Sequence, residues 1–373
     1  MEFEYQKYSQ YFAQVAGKLE DYAAQELSGL GADSVTARYR GVSFCADKAA
    51  LYRINYRARL ITRVLAPLLT FNCHSTKYLY TQALKLDWQK LMSTNSTFAI
   101  FATVANSKIR HSHYAALVLK DAIADYFVNK CGERPSIDTM NPDTWLNLRI
   151  ENNKAIISFD TSGGSLHRRG YRQKSVEAPM QETVAAAIIS MSGWQGEMPL
   201  YDPFCGSGTL LSEAAMHYCR IPAGYFRERF GFFGLPDFDA DAWEKVKAES
   251  VIRSLPRGLI AGSDISADAV SSARQNLTSF KQFGSIAIEQ SDYRKLGKLE
   301  NTIIVANPPY GLRLADSDLY DFGEFLKNSC LGSTAYVYFG KREKIGEIKL
   351  KPDWKRPLVN GALDGRLCKY RIY

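Results

Sequence analysis

The sequence predicts a chain in two parts, a doubly wound, mainly parallel α/β sheet over residues 177–373 preceded by an α+β region over residues 1–160. Three observations predict it. Beyond Val176, short apolar strands alternate regularly with helical-period segments, the spacing that yields parallel strands joined by right-handed crossovers. Before residue 160, helices and strands are mixed without that regularity, as in a compact α+β module. Finally, 373 residues with 46% hydrophobic and 23% charged side chains suffice for two or three cores and exclude a disordered, collagenous or coiled-coil chain.

Residues 11–31 carry apolar side chains at helical spacing and stop at Gly29 and Gly31, so a helix is expected there. A small hairpin follows, turned at Gly41. Asp47 is placed to cap the next helix, which would carry Arg53, Arg57, Arg59 and Arg63. Like charges four apart oppose a helix unless an anion meets them. Further on come a helix over 78–88, a strand over 97–105, a helix over 113–132 and strands over 145–152 and 154–162. The stretch 161–176, rich in Gly, Ser and charge, reads as a linker. In the second part, helix 179–194 precedes strand 199–204 and helix 209–219. An insertion, residues 220–257, brings an aromatic turn over 224–234 and a helix over 239–255. Strand 258–264, helix 266–280, strands 285–292 and 301–311, helix 317–330 and strand 333–340 complete the alternation. The chain closes on a hairpin expected to turn near Asp364 and Gly365.

The formal charge of +8 is unevenly distributed. From Lys48 to Lys120 eleven basic residues face one acid, Asp87, and a second run, Arg168, Arg169, Arg172 and Lys174, has no acid between Thr161 and Val176. Such concentration suits a polyanion, since phosphate contacts release counterions; a solvated basic face is the alternative. Seven cysteines are scattered without a C-x-x-C pair, which disfavours a disulfide framework or a zinc site and fits a reducing compartment. No signal sequence and no apolar run of about 20 residues is visible, so a cytoplasmic protein without membrane contact is expected.

In an open parallel sheet ligands bind beyond the carboxyl ends of the strands. Here those ends read Asp202-Pro203-Phe204-Cys205-Gly206-Ser207-Gly208-Thr209, Ser263-Asp264-Ile265, Ser291-Asp292 and Asn307-Pro308-Pro309-Tyr310. The Gly206-Ser207-Gly208 turn allows close backbone approach, and the helix opening at Thr209 presents free N–H groups. As a dinucleotide fingerprint it fails, because Leu211 stands at the third glycine position; a purely structural turn is the alternative. Asp264 can accept from a ribose diol and Asp292 from an adenine amino group, while either alone could be a helix cap. At 307–310 two prolines remove two N–H donors and fix the backbone, presenting the Asn307 side chain and the Pro308 carbonyl, with Tyr310 as a flat stacking face. Two such acceptors suit an exocyclic amino group of a nucleobase, whose delocalised lone pair they would localise for attack on an activated methyl.

These motifs resemble class I S-adenosylmethionine-dependent methyltransferases that modify base amino groups. Residues 107–123, 166–172, 178–194, 202–216, 243–249 and 307–314 resemble more closely the bacterial THUMP-containing methyltransferases that make N2-methylguanosine in large-subunit (23S) ribosomal RNA, without the second methyltransferase domain fused in some members. The resemblance implies a Rossmann-like catalytic domain over 177–373, a ferredoxin-like part over 1–46 and an RNA-binding THUMP domain over 47–160. It implies that Gly206, Ser207 and Gly208 pass under the methionine part of the cofactor, with Pro203, Cys205, Thr209 and Ile265 beside it. Asp202 would hold the amino end, Asp264 the ribose and Asp292 the adenine, and Ala178 and Pro179 would close over it. Asn307, Pro308, Pro309 and Tyr310 would be the catalytic set, with Asn307 also beside the cofactor. Arg53, Arg57, Arg63, Lys108, Arg110, His111, Arg168, Arg169 and Arg172 are the expected RNA contacts. A transfer-RNA guanine methyltransferase and a non-catalytic RNA-binding assembly factor are the alternatives, and a monomer is favoured.

Three features point elsewhere and are set aside. His111 and His113 lack a third ligand for a metal. Cys205 lacks a neighbouring base to activate it as a nucleophile. Phe226, Phe230, Phe232 and Phe233 could form core or flank a flipped base.

Overall fold

The computed structural model describes residues 2–174, 180–309 and 318–373. Two compact units divide the chain. The first consists of Met1–Val15, Glu20–Leu166 and Arg227–Ala248, the second of Ala16–Leu19, His167–Phe226 and Glu249–Tyr373.

In the first unit, α1 (Glu4–Tyr8) leads into β1 (Gln10–Val15), α2 (Glu20–Gly29), β2 (Asp33–Arg38) and β3 (Gly41–Cys45). Then come α3 (Lys48–Arg57), β4 (Ile61–Asn72), α4 (Thr76–Ala83), β5 (Thr97–Ala105), α5 (Ser112–Cys131), β6 (Ser136–Ile137), β7 (Thr144–Glu151) and β8 (Lys154–Asp160). All eight strands form one sheet in the order β2-β3-β1-β4-β8-β7-β5-β6. The long β4 is its spine, pairing with β1 through Phe12 and Leu65 on one side and with β8 from Leu65–Asp160 to Asn72–Lys154 on the other.

The helix expected over 11–31 starts only at Glu20. Tyr11, Ala13 and Val15 are buried at every second position, and that period belongs to a strand with one face on a core. Asp47 does cap α3, its carboxylate accepting from Ala50 N at 2.7 Å. The helix ends at Arg57, so Arg59 and Arg63 lie off it. Arg63 sits on β4, where its guanidinium pairs with the buried Asp160 carboxylate and lies 4.0 Å from the Phe101 ring centroid.

In the second unit, α6 (Glu182–Ser192), β9 (Leu200–Asp202) and α7 (Thr209–Tyr218) open the α/β alternation. The chain then returns to the first unit for residues 227–248, where α8 (Ala240–Ala248) packs on α3. Phe232 stacks on Tyr52 at 4.6 Å, and Trp243 meets Tyr56 edge-on at 5.2 Å. The aromatic cluster is therefore core, and it divides: Phe230, Phe232 and Phe233 belong to the first unit, whereas Phe226 packs on Phe280 in the second. The sequence pattern assigns all of 220–257 to the second part, but only 220–226 and 249–257 lie there.

The second unit continues with β10 (Ile260–Asp264), α9 (Ala267–Asn276), β11 (Ala287–Gln290), β12 (Ile303–Ala306), α10 (Asp318–Ser329), β13 (Thr334–Phe339), β14 (Trp354–Asn360) and β15 (Leu363–Arg371). Its sheet runs β11-β10-β9-β12-β13-β15-β14, parallel from β11 through β13, which is the doubly wound arrangement the strand-helix alternation predicted. The strand order reverses at β9, so the switch point lies between β9 and β12. The closing hairpin turns at Gly361 and Ala362 instead of near Asp364, because Gly361 supplies the positive φ (+61°) that a two-residue turn needs.

Candidate active site

The carboxyl ends of β9, β10, β11 and β12 share one edge of the sheet, with the switch point between β9 and β12. After β9, Asp202 is fully buried and its Oδ1 accepts from Phe204 N at 3.0 Å. Burial raises its carboxyl well above the usual range, and the Asp264 charge adds to the effect. Cys205 N donates to Ser263 O and Gly208 N to Cys205 O, which closes the turn. Gly206 (φ +54°) and Gly208 (φ +81°) both take left-handed backbone, and a Cβ at Gly206 would meet no heavy atom within 4 Å. Open space therefore lies beside the turn. Ser207 and Thr209 are buried, and Pro203 precedes them in the same turn.

The Asp264 carboxylate bridges the first two strand ends. Its Oδ2 accepts from Gly206 N and its Oδ1 from Ser266 N, both at 2.9 Å, so each oxygen keeps a lone pair. Ile265 beside it is 64% exposed. Asp292 is engaged by Arg294, which donates at 2.7 and 3.1 Å and holds the carboxyl below its usual range. At the fourth strand end, Pro308 is buried and Asn307 Oδ1 is a buried acceptor with no hydrogen-bond partner among the described residues. Ala178, Pro179 and Tyr310 lie outside the described residues.

Cys205 is not an activated nucleophile. Burial raises its thiol pKa far above the usual value, and Asp202 and Asp264 raise it further.

The motif at 166–172, expected to touch RNA, is structural at its centre. Arg169 is fully buried and pairs with Glu213 of α7 at 3.3 Å, with Tyr171 Oη donating to the same carboxylate. Arg172 is largely enclosed. It donates to Glu182 Oε1 (2.8 Å), Thr209 Oγ1 (3.0 Å) and Met180 O (3.1 Å). These two residues, with Arg63, are therefore corrected: their charges are matched inside their own units. Arg168 is exposed. A residue that the sequence reading missed is Asn276, the last of α9, which joins Gln173 and Lys174 to Ser207. Nothing in a lone helical Asn signals such a role.

In the first unit, Lys108, Arg110 and His111 are exposed and line a pocket of about 380 Å³ together with His74 and Tyr114. The sequence names the first three as expected RNA contacts and carries no signal that would place His74 and Tyr114 beside them. Arg53 and Arg57 are half-buried on α3, and Arg53 Nη1 donates to Leu30 O. Among the described residues no cluster of His, Cys, Asp and Glu could hold a metal ion, and no helix is long and apolar enough to cross a membrane.

The buried Asp202 predicts a pH dependence. An unfolded Asp titrates near about 3.9, whereas folded Asp202 keeps its proton to a higher pH. The folded chain thus binds more protons between those two values, and the stability present below the unfolded pKa is lost as pH rises through the folded one. Asp202→Asn is expected to flatten that decline. Urea midpoints measured from about pH 4 to about pH 8 check this; an unchanged slope counts against it.

Profiles of known families match across the chain: an RMKL-like methyltransferase domain over residues 169–369, a THUMP domain over 73–160 and an RlmL ferredoxin-like domain over 10–65. A Synechocystis protein that bears the name of an RNA methyltransferase is 38% identical over 97% of each chain. The ribosomal RNA large subunit methyltransferase K/L of Photobacterium profundum is 36% identical over 98% of this chain, which spans 53% of that protein. A solved methyltransferase structure complexed with SAH aligns at a TM-score of 0.84 with 26% identity, covering 98% of both chains. A Listeria monocytogenes protein named for N6-adenine DNA methylation aligns at 0.83, also with 26% identity, over 98% of this chain and 96% of that one.

SAH is the demethylated form of S-adenosylmethionine, and the residues present fit that group. Space is open beside Gly206, Asp264 keeps a lone pair on each oxygen, and Ile265 offers an exposed apolar face next to that acid. The chain belongs to the RMKL-like methyltransferase family, with THUMP and RlmL ferredoxin-like domains ahead of its methyltransferase domain, and S-adenosylmethionine is its cofactor.

Proposed function

We propose that this protein methylates the exocyclic N2 of a guanosine in large-subunit (23S) ribosomal RNA. The observation that carries the reading is the buried Asn307 Oδ1 at the end of β12, which has no hydrogen-bond partner among the described residues. Leaving a buried acceptor unpaired costs roughly 1–3 kcal/mol, a cost removed when a donor from outside the chain arrives. An aromatic amino group supplies that donor. Asn307 Oδ1 and the Pro308 carbonyl would each accept one of its N–H groups, drawing the nitrogen lone pair out of the ring and aiming it for in-line attack.

S-adenosylmethionine, when bound, supplies a methyl group already activated by its sulfonium. The backbone from Pro203 to Thr209 would lie against its methionine part, with Asp202 near the amino end. Asp264 would accept from the ribose hydroxyls while Ile265 covers the adenine. Asp292 would reach the adenine amino group with whatever acceptor capacity Arg294 leaves it. In the first unit, exposed Lys108, Arg110 and His111 would take RNA phosphates, and Tyr114 offers a ring for stacking on an unpaired base. The names of the K/L relatives support ribosomal RNA as substrate.

Mass mapping of ribosomal and transfer RNA from a strain lacking the gene tests this reading. A single N2-methylguanosine lost from 23S RNA, and restored by the purified protein with S-adenosylmethionine, is expected. A mark lost from transfer RNA, from adenine N6 or from DNA would overturn the assignment.

A further inference from the structure

We infer that Asn276 is a positioning residue, which fixes the glycine turn for the cofactor by holding it to the chain segment that precedes α6. Asn276 ends α9 and is 1% exposed. Its Oδ1 accepts from Gln173 N at 2.8 Å and Lys174 N at 2.9 Å, while its Nδ2 donates to Lys174 O at 2.8 Å and Ser207 O at 3.0 Å. Two donors and two acceptors are the whole hydrogen-bonding capacity of the amide. No other side-chain type offers both pairs in this geometry, since Asp lacks donors and Leu lacks everything.

What the clamp holds matters for the site. Ser207 lies between Gly206 and Gly208, both in left-handed backbone, and glycines of this kind leave a turn free to take other conformations. Asn276 fixes the Ser207 carbonyl, and Cys205 O takes the N–H of the next residue at 2.8 Å. The Ser207–Gly208 peptide plane is thus pinned on both sides. Arg172 ties Thr209, the first residue of α7, to Glu182 and to Met180 O. The turn is therefore fastened to residues 173–174 and 180–182 by two independent side chains. Preorganising a backbone before its ligand arrives lowers the cost of binding.

The inference rests on the cofactor assignment and concerns binding, so its readout is calorimetric titration with SAH. Asn276→Asp keeps the shape, keeps the acceptors toward Gln173 and Lys174, and sets a carboxylate against two carbonyls. SAH affinity is expected to fall at least about tenfold, a change of about 1.4 kcal/mol, with RNA affinity unchanged. KM for the methyl donor is expected to rise more than kcat falls. Amide hydrogen exchange of the unaltered protein reads the same link without a variant: protection at Gln173 and Lys174 is expected to rise together with that at residues 206–208 when SAH is added. An Asn276→Asp protein that binds SAH like the wild type, or exchange at 173–174 indifferent to SAH, overturns the inference. Wild-type protein that takes up no SAH would overturn the cofactor assignment with it.

Discussion

Asn307→Ala is expected to lower kcat for methyl transfer by about 10³-fold, the loss seen when one preorganised polar group is removed from a reacting centre. RNA and SAH affinities are expected to stay within about twofold, because the side chain's acceptor has no partner among the described residues whose loss could disturb the fold. Its removal eliminates a buried oxygen that no described residue satisfies, so the variant is expected to be at least as stable as the wild type. Activity and stability would then move in opposite directions, which a structural residue does not do. Asn307→Asp divides the effect further. It keeps an acceptor near the same place but brings a charge, so it is expected to recover part of the rate with a new dependence on pH. Single-turnover methylation with stoichiometric RNA measures the chemical step apart from product release. A rate within about tenfold of wild type would remove Asn307 from the reacting centre.

Strand-end positions were more legible in the sequence than the side chains that brace them. Strand ends in an alternating α/β chain are fixed by the register of apolar runs, so Asp202, Asp264, Asp292 and Asn307 could be placed at one rim before any coordinates. Which side chains brace that rim could not be read, because bracing depends on distant partners. Arg169 and Arg172 look like free cations in a basic stretch, but Glu213 and Glu182 meet them from helices later in the chain. Asn276 is one polar residue at the end of a helix until its four partners are known. The N-terminal strand β1 was misread for a related reason. Tyr11, Ala13 and Val15 fit a period of two, and the helical residues after Glu20 extended the apparent helix backwards across them. The basic stretch from Lys48 to Lys120 shows the limit of counting charge, since Arg63 within it neutralises Asp160 while Lys108 and Arg110 remain exposed.

Phe232→Ala is expected to cost the first unit about 3–5 kcal/mol, a large fraction of a typical domain stability of about 5–15 kcal/mol. The residue belongs to the insertion, far along the chain from the sheet it supports, yet it is fully buried. Its ring lies 4.6 Å from Tyr52 and 5.2 Å from Trp243. Around it the segment is tied down by polar contacts as well: Tyr5 Oη donates to Asp237 Oδ1 at 2.7 Å, Asp239 N to Tyr52 Oη at 2.9 Å, and Phe232 N to Thr161 O at 2.7 Å. Backbone approach is equally close, since a Cβ at Gly231 would stand 2.0 Å from Asp160 O. Gly231→Ala, the smallest change possible there, must displace the backbone next to the Asp160 and Arg63 pair, and an effect as large as that of Phe232→Ala is expected. Urea unfolding followed by fluorescence, with SAH binding measured in parallel, separates the units. Loss of the first unit's transition while SAH is still bound is the expected pattern, because the residues proposed to hold the cofactor all lie in the second unit. A midpoint unchanged by either substitution would mean that residues 227–248 decorate the first unit without completing its core. RNA affinity decides what completion is for: if the basic pocket at Lys108 and Arg110 needs an intact first unit, both variants lose RNA binding at temperatures where they still bind SAH.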